Sequence, residues 1–134
     1  MRTELIFFDS IEESKKGTVR GFIAFISLIL FDIIWFSISK NNVYKTVNKK
    51  INIYVSLLIY IIICSAIAVQ LPKTYKEALT YGLLVGFVIY SVFNLTSYII
   101  FEWPFTTAII DTIVGTINCG IASSMIYLIY FKNN

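Results

Sequence analysis

Long apolar runs alternate with short charged connections along this chain. The first run covers residues 21–39 and is broken only by Asp32. The second covers 53–71 and stops at Pro72, the third 78–101, and the fourth 105–131. A helix needs about 20 apolar residues to cross the hydrocarbon core of a bilayer, so each run can span, the fourth with room to tilt. Only helices and closed barrels satisfy their backbone inside lipid, and continuous runs lack the alternation of barrel strands. The pattern therefore predicts an all-α fold, an integral membrane four-helix bundle formed by residues 18–134. Its spans are expected at about 20–39, 53–71, 78–101 and 105–131. Residues 1–17 are polar and mixed in charge, with one apolar patch of Leu5, Ile6, Phe7 and Phe8. With a helix start at Asp9-Ser10-Ile11-Glu12-Glu13, they read as a short amphipathic segment on the membrane surface. A cleavable signal peptide is a poor match, because the leader is long and acidic and no Ala-x-Ala site follows the first run.

Composition narrows the class further. The apolar set makes up 57% of the 134 residues and charged residues 14%, against roughly 45–50% and 25% in soluble domains. That leaves too few charges to coat a globule in water, and excludes a soluble fold, a disordered tail and a disulfide-stapled module. The net charge of +3 is small, and its lysines and arginines sit at the ends of apolar runs. No nucleic acid partner is expected from that distribution. One set of ends carries Arg2, Lys15, Lys16, Arg20, Lys73, Lys76 and Lys132; the other carries Lys40, Lys45, Lys49 and Lys50. Seven against four predicts both termini in the cytoplasm. There is no His, which removes Ser-His-Asp and Cys-His catalysis and the commonest transition-metal ligand. Cys64 and Cys119 lie deep in apolar runs, where a thiol behaves as a small hydrophobe. No metal, cofactor or catalytic residue is indicated.

Ionisable residues inside spans are costly and need a reason. Asp32 falls in the second half of its run and Asp111 near the start of its own, so in antiparallel helices both lie in the same membrane half. Gly82, Gly86, Tyr90, Asn94 and Ser97 recur at helical spacing on one stripe of the third run. Asp111, Gly115 and Asn118 share a face of the fourth, with Thr112 and Thr116 beside it, and Trp35 stands one turn beyond Asp32. The glycine end of the third stripe and Gly115 read as helix-packing positions. Asp32, Trp35, Tyr90, Asn94, Ser97, Asp111 and Thr116 are the candidates for a ligand or proton site. Two carboxylates at close range would share a proton. The same residues also read as hydrogen-bonding groups that fix helix register. Tyr44, Tyr75, Trp103, Tyr127 and Tyr130 are expected as interfacial anchors.

At these positions the chain resembles a family of small four-span membrane proteins, domain of unknown function 2177, from about residue 20 to 130. The family's Asp-x-x-Trp is matched by Asp32-Ile33-Ile34-Trp35, followed by its loop tyrosine at Tyr44. Its third-span pattern is matched by Gly86 and Tyr90, by Phe93-Asn94-Leu95-Thr96-Ser97 and by Trp103-Pro104. Its fourth-span Asp-x-x-Trp-Gly-Thr is matched by Asp111-Thr112-Ile113-Val114-Gly115-Thr116. The departures are Asn94 for the family's Asp, Ser97 for its Asn and Val114 for its Trp, which take one charge out of the cluster. The resemblance implies the four-span fold and the polar cluster and supplies no reaction. The family occurs in bacteria and some large DNA viruses. Nine lysines against two arginines are compatible with an AT-rich genome, and hence with a bacterial or a virion membrane.

The functional expectation is a structural or interaction component of a membrane, with the lipid bilayer and membrane assembly partners or further copies of the chain around it. The alternative is a small transporter or channel that handles a proton, cation or small ligand at Asp32, Asn94 and Asp111. A membrane-embedded lipid-modifying enzyme has the least support.

Overall fold

In the computed structural model, residues 2–45 and 52–134 are described, with side chains from Asp9 onward. Helix α1 is Arg2–Ser39, α2 Ile53–Ala68, α3 Tyr75–Ile100 and α4 Phe105–Ile126; a wide π-helical turn, Tyr127–Phe131, prolongs α4. The fold is all-helical, with no strand among the described residues. The side chains of Leu5, Ile6, Phe7 and Phe8, and the lysines Lys49 and Lys50, lie outside the described residues.

The polar first half and apolar second half of α1 form one unbroken helix. No proline interrupts residues 2–39, and Lys16 reaches back one turn to Glu12 at 3.3 Å and Glu13 at 3.4 Å. Pairs at this spacing support an exposed helix by only a few tenths of a kcal/mol. Helix α2 starts on Asn52, whose side chain accepts from the Tyr54 and Val55 amides. It stops at Ala68, and its 16 residues cover about 24 Å. Beyond it the chain turns inward at Gln70 before Pro72. Thr74 caps α3 by accepting from the Glu77 amide at 3.2 Å. The α3–α4 turn closes through Glu102 in the left-handed region at φ 54°, with the Trp103 amide 3.3 Å from the Ser97 carbonyl.

Asp9–Ser39, Tyr75–Ile100 and Phe105–Phe131 are each long and apolar enough to cross a membrane, and α2 is a shorter apolar helix. The distribution of side chains is that of a bundle in lipid. Leu30, Ile34, Leu58, Ile62, Leu84, Val88, Val92 and Ile113 point outward, while Asn94, Asn118, Ser97 and Ser123 are buried. Water would reverse that order; hydrocarbon favours it.

Helices α3 and α4 form the most extensive interface, and glycine makes it close. A Cβ on Gly86 would sit 2.7 Å from the Cys119 side chain and 2.9 Å from the Thr116 backbone. One on Gly82 would sit 2.5 Å from the Cys119 carbonyl. At Gly115 the occupant of that space is the Tyr90 ring. The apolar core gathers Ala24, Leu28, Ile63, Cys64, Ile67, Cys119, Ala122 and Ile126. Beyond it, toward the α3–α4 turn, the interior becomes polar.

Candidate polar site

The site is built from three helical stripes and one connection. On α1, Arg20, Ala24, Leu28, Asp32, Trp35 and Ser39 recur every three or four residues along the inward face. The α3 stripe passes from Gly82 and Gly86 through Tyr90 to Asn94 and Ser97. Helix α4 presents Asp111, Gly115 and Asn118. Residues 40–45, which follow α1, fold over the end of the bundle, held by the Thr107 hydroxyl, which donates to the Val43 carbonyl at 2.8 Å. This carries Tyr44 inside, where its ring stacks on Phe36 at 5.2 Å.

Two hydrogen-bonded groups result. At Asp111, one carboxylate oxygen accepts from the Tyr44 hydroxyl and the other from Asn94 Nδ2 at 2.9 Å. Trp35 Nε1 donates in turn to the Tyr44 oxygen at 3.0 Å, making a chain from α1 through the connection to α4. Asn94 Nδ2 also reaches Thr112 Oγ1 at 3.0 Å. At Asp32, one oxygen accepts from the Tyr60 hydroxyl of α2 and the other from Asn118 Nδ2 at 2.9 Å. The same nitrogen lies 3.5 Å from the Leu28 carbonyl. Both asparagines are fully buried, at 0% exposure, whereas the two aspartates are half-buried. Among the described residues, Asn94 Oδ1 and Asn118 Oδ1 have no hydrogen-bond partner.

Among the described residues no hydrogen bond joins the two carboxylates, which the sequence pattern expects to share a proton. Asp32 is tied to Asn118, seven residues along α4 from Asp111, about 10 Å of helix rise. Each carboxylate has its own donors. Tyr44, expected as an interfacial anchor, is buried at 5% exposure because the connection is pinned down by Thr107. Thr116 donates to the Thr112 carbonyl of its own helix at 2.7 Å. Ser97 is buried, and its carbonyl accepts from the Phe101 and Trp103 amides. Tyr90 covers Gly115, and its carbonyl lies 3.4 Å from Thr112 Oγ1. Of the seven candidates, the structure thus links Trp35, Asn94 and Asp111 in one group and puts Asp32 in the other. Tyr44, Tyr60, Asn118 and Thr112 are the additional members. Asn118 was within reach of the sequence pattern, seven residues from Asp111 and so on the same helical face.

A family model matches residues 19–128 of the chain. The chain belongs to DUF2177, a family of predicted membrane proteins. No curated protein and no solved structure matches it. The matched segment of this DUF2177 chain contains both aspartates and all of their donors. With its outward-facing apolar helices, this is a membrane protein embedded in the lipid bilayer.

Proposed function

We propose that this chain is a structural or interaction component of a membrane, a bundle without turnover whose polar groups fix the register of its helices. One observation carries this reading: every oxygen of the two aspartates takes a donor from a different element. Asp32 of α1 joins α2 through Tyr60 and α4 through Asn118; Asp111 of α4 joins α3 through Asn94 and the α1–α2 connection through Tyr44. Close packing at Gly82 and Gly86 seats α3 on α4, and the buried hydrogen bonds extend that register to α1 and α2. The partners in this reading are lipid and neighbouring membrane proteins or further copies, met through residues 1–17 or the 40–50 loop. Both termini face the cytoplasm, a choice supported by the excess of Lys and Arg at that end. The same role suits a cellular membrane or the internal membrane of a virion.

Thermal unfolding of Asp32→Asn and Asp111→Asn in detergent tests the reading. Each substitution puts an amide group against donors built for a carboxylate, costing about 1–3 kcal/mol. The midpoint is expected to fall by several degrees in both. Unchanged midpoints together with a lost cellular phenotype would overturn a purely structural role.

A second reading, a small channel or transporter for a proton or cation, is favoured by a separate observation. The buried Oδ1 atoms of Asn94 and Asn118 lack partners among the described residues, and each amide stands beside a carboxylate. Oxygen groups of that kind are ligands for a hard cation or a water. Asp111 with Asn94, and Asp32 with Asn118, are the residues such a site would use. Proton and sodium flux into liposomes holding the wild type and the Asp32→Asn/Asp111→Asn double variant decides it. No wild-type flux, or flux that ignores both substitutions, removes this reading.

A further inference from the structure

At the end of the bundle opposite the aspartates, a single positive charge is folded into the protein. Arg20 opens the apolar run of α1, yet it is only 7% exposed, where arginine is rarely found without a partner. Its Nε donates to the Ala68 carbonyl at the end of α2, at 2.9 Å. The rings of Tyr130 and Phe131 lie 5.5 and 5.7 Å from the guanidinium carbon. These contacts position the group without neutralising it. Among the described residues, Arg20 forms no ion pair and makes no hydrogen bond through its two Nη nitrogens.

Arg20 lines a cleft between α1 and α2 of about 510 Å³, with its Nη2 beside Gly17. Gly17 keeps it open: a Cβ there would stand 3.9 Å from Arg20 Nη2 and meet nothing else within 4 Å. Thr18 and Ser65 also line the cleft, but their hydroxyls donate to the carbonyls of Ser14 and Ile61 in their own helices, at 2.9 and 2.7 Å. The donors that remain are the guanidinium and, at the mouth, the Ser14 hydroxyl. Its floor is apolar, with Phe25, Cys64 and Ala68, and its rims carry Phe22 and Ile61, which are exposed on the outer face of the helices. From Ser14 to Phe25 the cleft follows α1 for about 16 Å, polar at its mouth and apolar at its floor.

We propose that this cleft binds a phospholipid, with its phosphate on the Nη groups of Arg20 and an acyl chain running between α1 and α2. The charge, the fork of donors and the depth all agree with that occupant. A guanidinium presents paired N–H groups that match phosphate oxygens, and it lies where the apolar run begins, at headgroup level. Lys15, Lys73, Lys76 and Lys132 belong to the same end of the bundle, where Glu12, Glu13 and Glu77 offset part of their charge. Free phosphate shares the headgroup chemistry but leaves the apolar floor uncovered, and that floor selects the lipid.

Native mass spectrometry of the full chain, released from micelles doped with dioleoyl phosphatidylglycerol or with dioleoylglycerol, separates phosphate recognition from chain packing. A parallel arm adds inorganic phosphate as competitor. The phospholipid is expected to be retained about tenfold more than the phosphate-free lipid, and inorganic phosphate at equal concentration leaves it in place. Arg20→Gln and Gly17→Leu are both expected to lower retention to the level of dioleoylglycerol. Gly17→Leu fills the cleft while leaving the Arg20–Ala68 bond, so it keeps the test decisive if Arg20→Gln does not fold. Equal retention of the two lipids, full retention by Gly17→Leu, or displacement by inorganic phosphate would each overturn the proposal.

Discussion

A carboxylate in a bilayer is usually held by a cation, and here phenols and primary amides do that work. The choice has a consequence at Tyr44, which lies in the α1–α2 connection beyond the end of α1. Burial, then donation to Asp111 and repulsion by its charge, hold the Tyr44 phenol above its ordinary value of 10.0. A group with a raised folded value stabilises the fold fully below the unfolded value and loses that contribution as pH rises above it. The wild type should therefore lose stability as pH climbs past about 10, and Tyr44→Phe should lose less over the same range. Melting curves across alkaline pH read this out, and parallel curves for the two proteins would sink it. At neutral pH the same substitution costs about 1–3 kcal/mol by leaving an Asp111 oxygen without its donor. Asp32 and Asp111 were legible in the sequence because a charge in an apolar run is conspicuous. Tyr44 was not, because a tyrosine just beyond a run's end looks the same whether it faces the headgroups or folds inward. The hydrogen bond from Thr107 to Val43 makes that decision for Tyr44, and no local pattern announces it.

Helix-level features divide along the same line between local and long-range causes. Four helices follow from four apolar runs, since run length and backbone satisfaction in lipid leave little alternative. The extent of α2 does not follow. The apolar run continues to Leu71, but the helix ends at Ala68 and Gln70 turns in to donate to Ser123 Oγ at 2.6 Å, a contact 53 residues distant in sequence. The junction at residue 17 is also invisible in the structure, because polar and apolar halves of α1 share one helical backbone. Close packing of α3 on α4 gives a test at this scale. Gly86→Ala would bring a methyl group to 2.7 Å from Cys119 and 2.9 Å from the Thr116 backbone, and should cost about 1–3 kcal/mol as overpacking. Gly21→Ala on α1 is the control: its nearest neighbour would be the Ala68 Cβ at 3.9 Å, an ordinary contact. There the better helix propensity of alanine should add up to about 1 kcal/mol. Chemical denaturation in mixed micelles ranks the three proteins, and a Gly86→Ala variant as stable as wild type would mean that the interface is looser than its geometry.

Across the whole molecule, the polar interior is split between two ends with an apolar core between them. One end holds both aspartates with their phenol and amide donors; the other holds Arg20, Gln70 and Ser123. The contacts at Arg20 also fix how the chain is threaded. Its guanidinium touches the last residue of α2 and the aromatic rings of the turn after α4, so the apolar run of α1 begins where α2 and α4 end. That threading predicts both termini on one face of the membrane, whichever face that is. The side is set by a different force, the tendency of Lys and Arg to stay on the face of synthesis, and the count of seven against four favours the end with the termini. A reporter that works only in the cytoplasm, fused in turn to each terminus, is expected to be active in both positions. Activity at one terminus alone would contradict the threading itself. Silence at both would leave the threading intact and reverse the side, so the two causes are read out separately. Moving the charge balance tests the second cause alone. Replacing Lys73, Lys76 and Lys132 with glutamine leaves four positive residues at each end. It should produce a mixture of the two orientations, with both termini still together in every molecule.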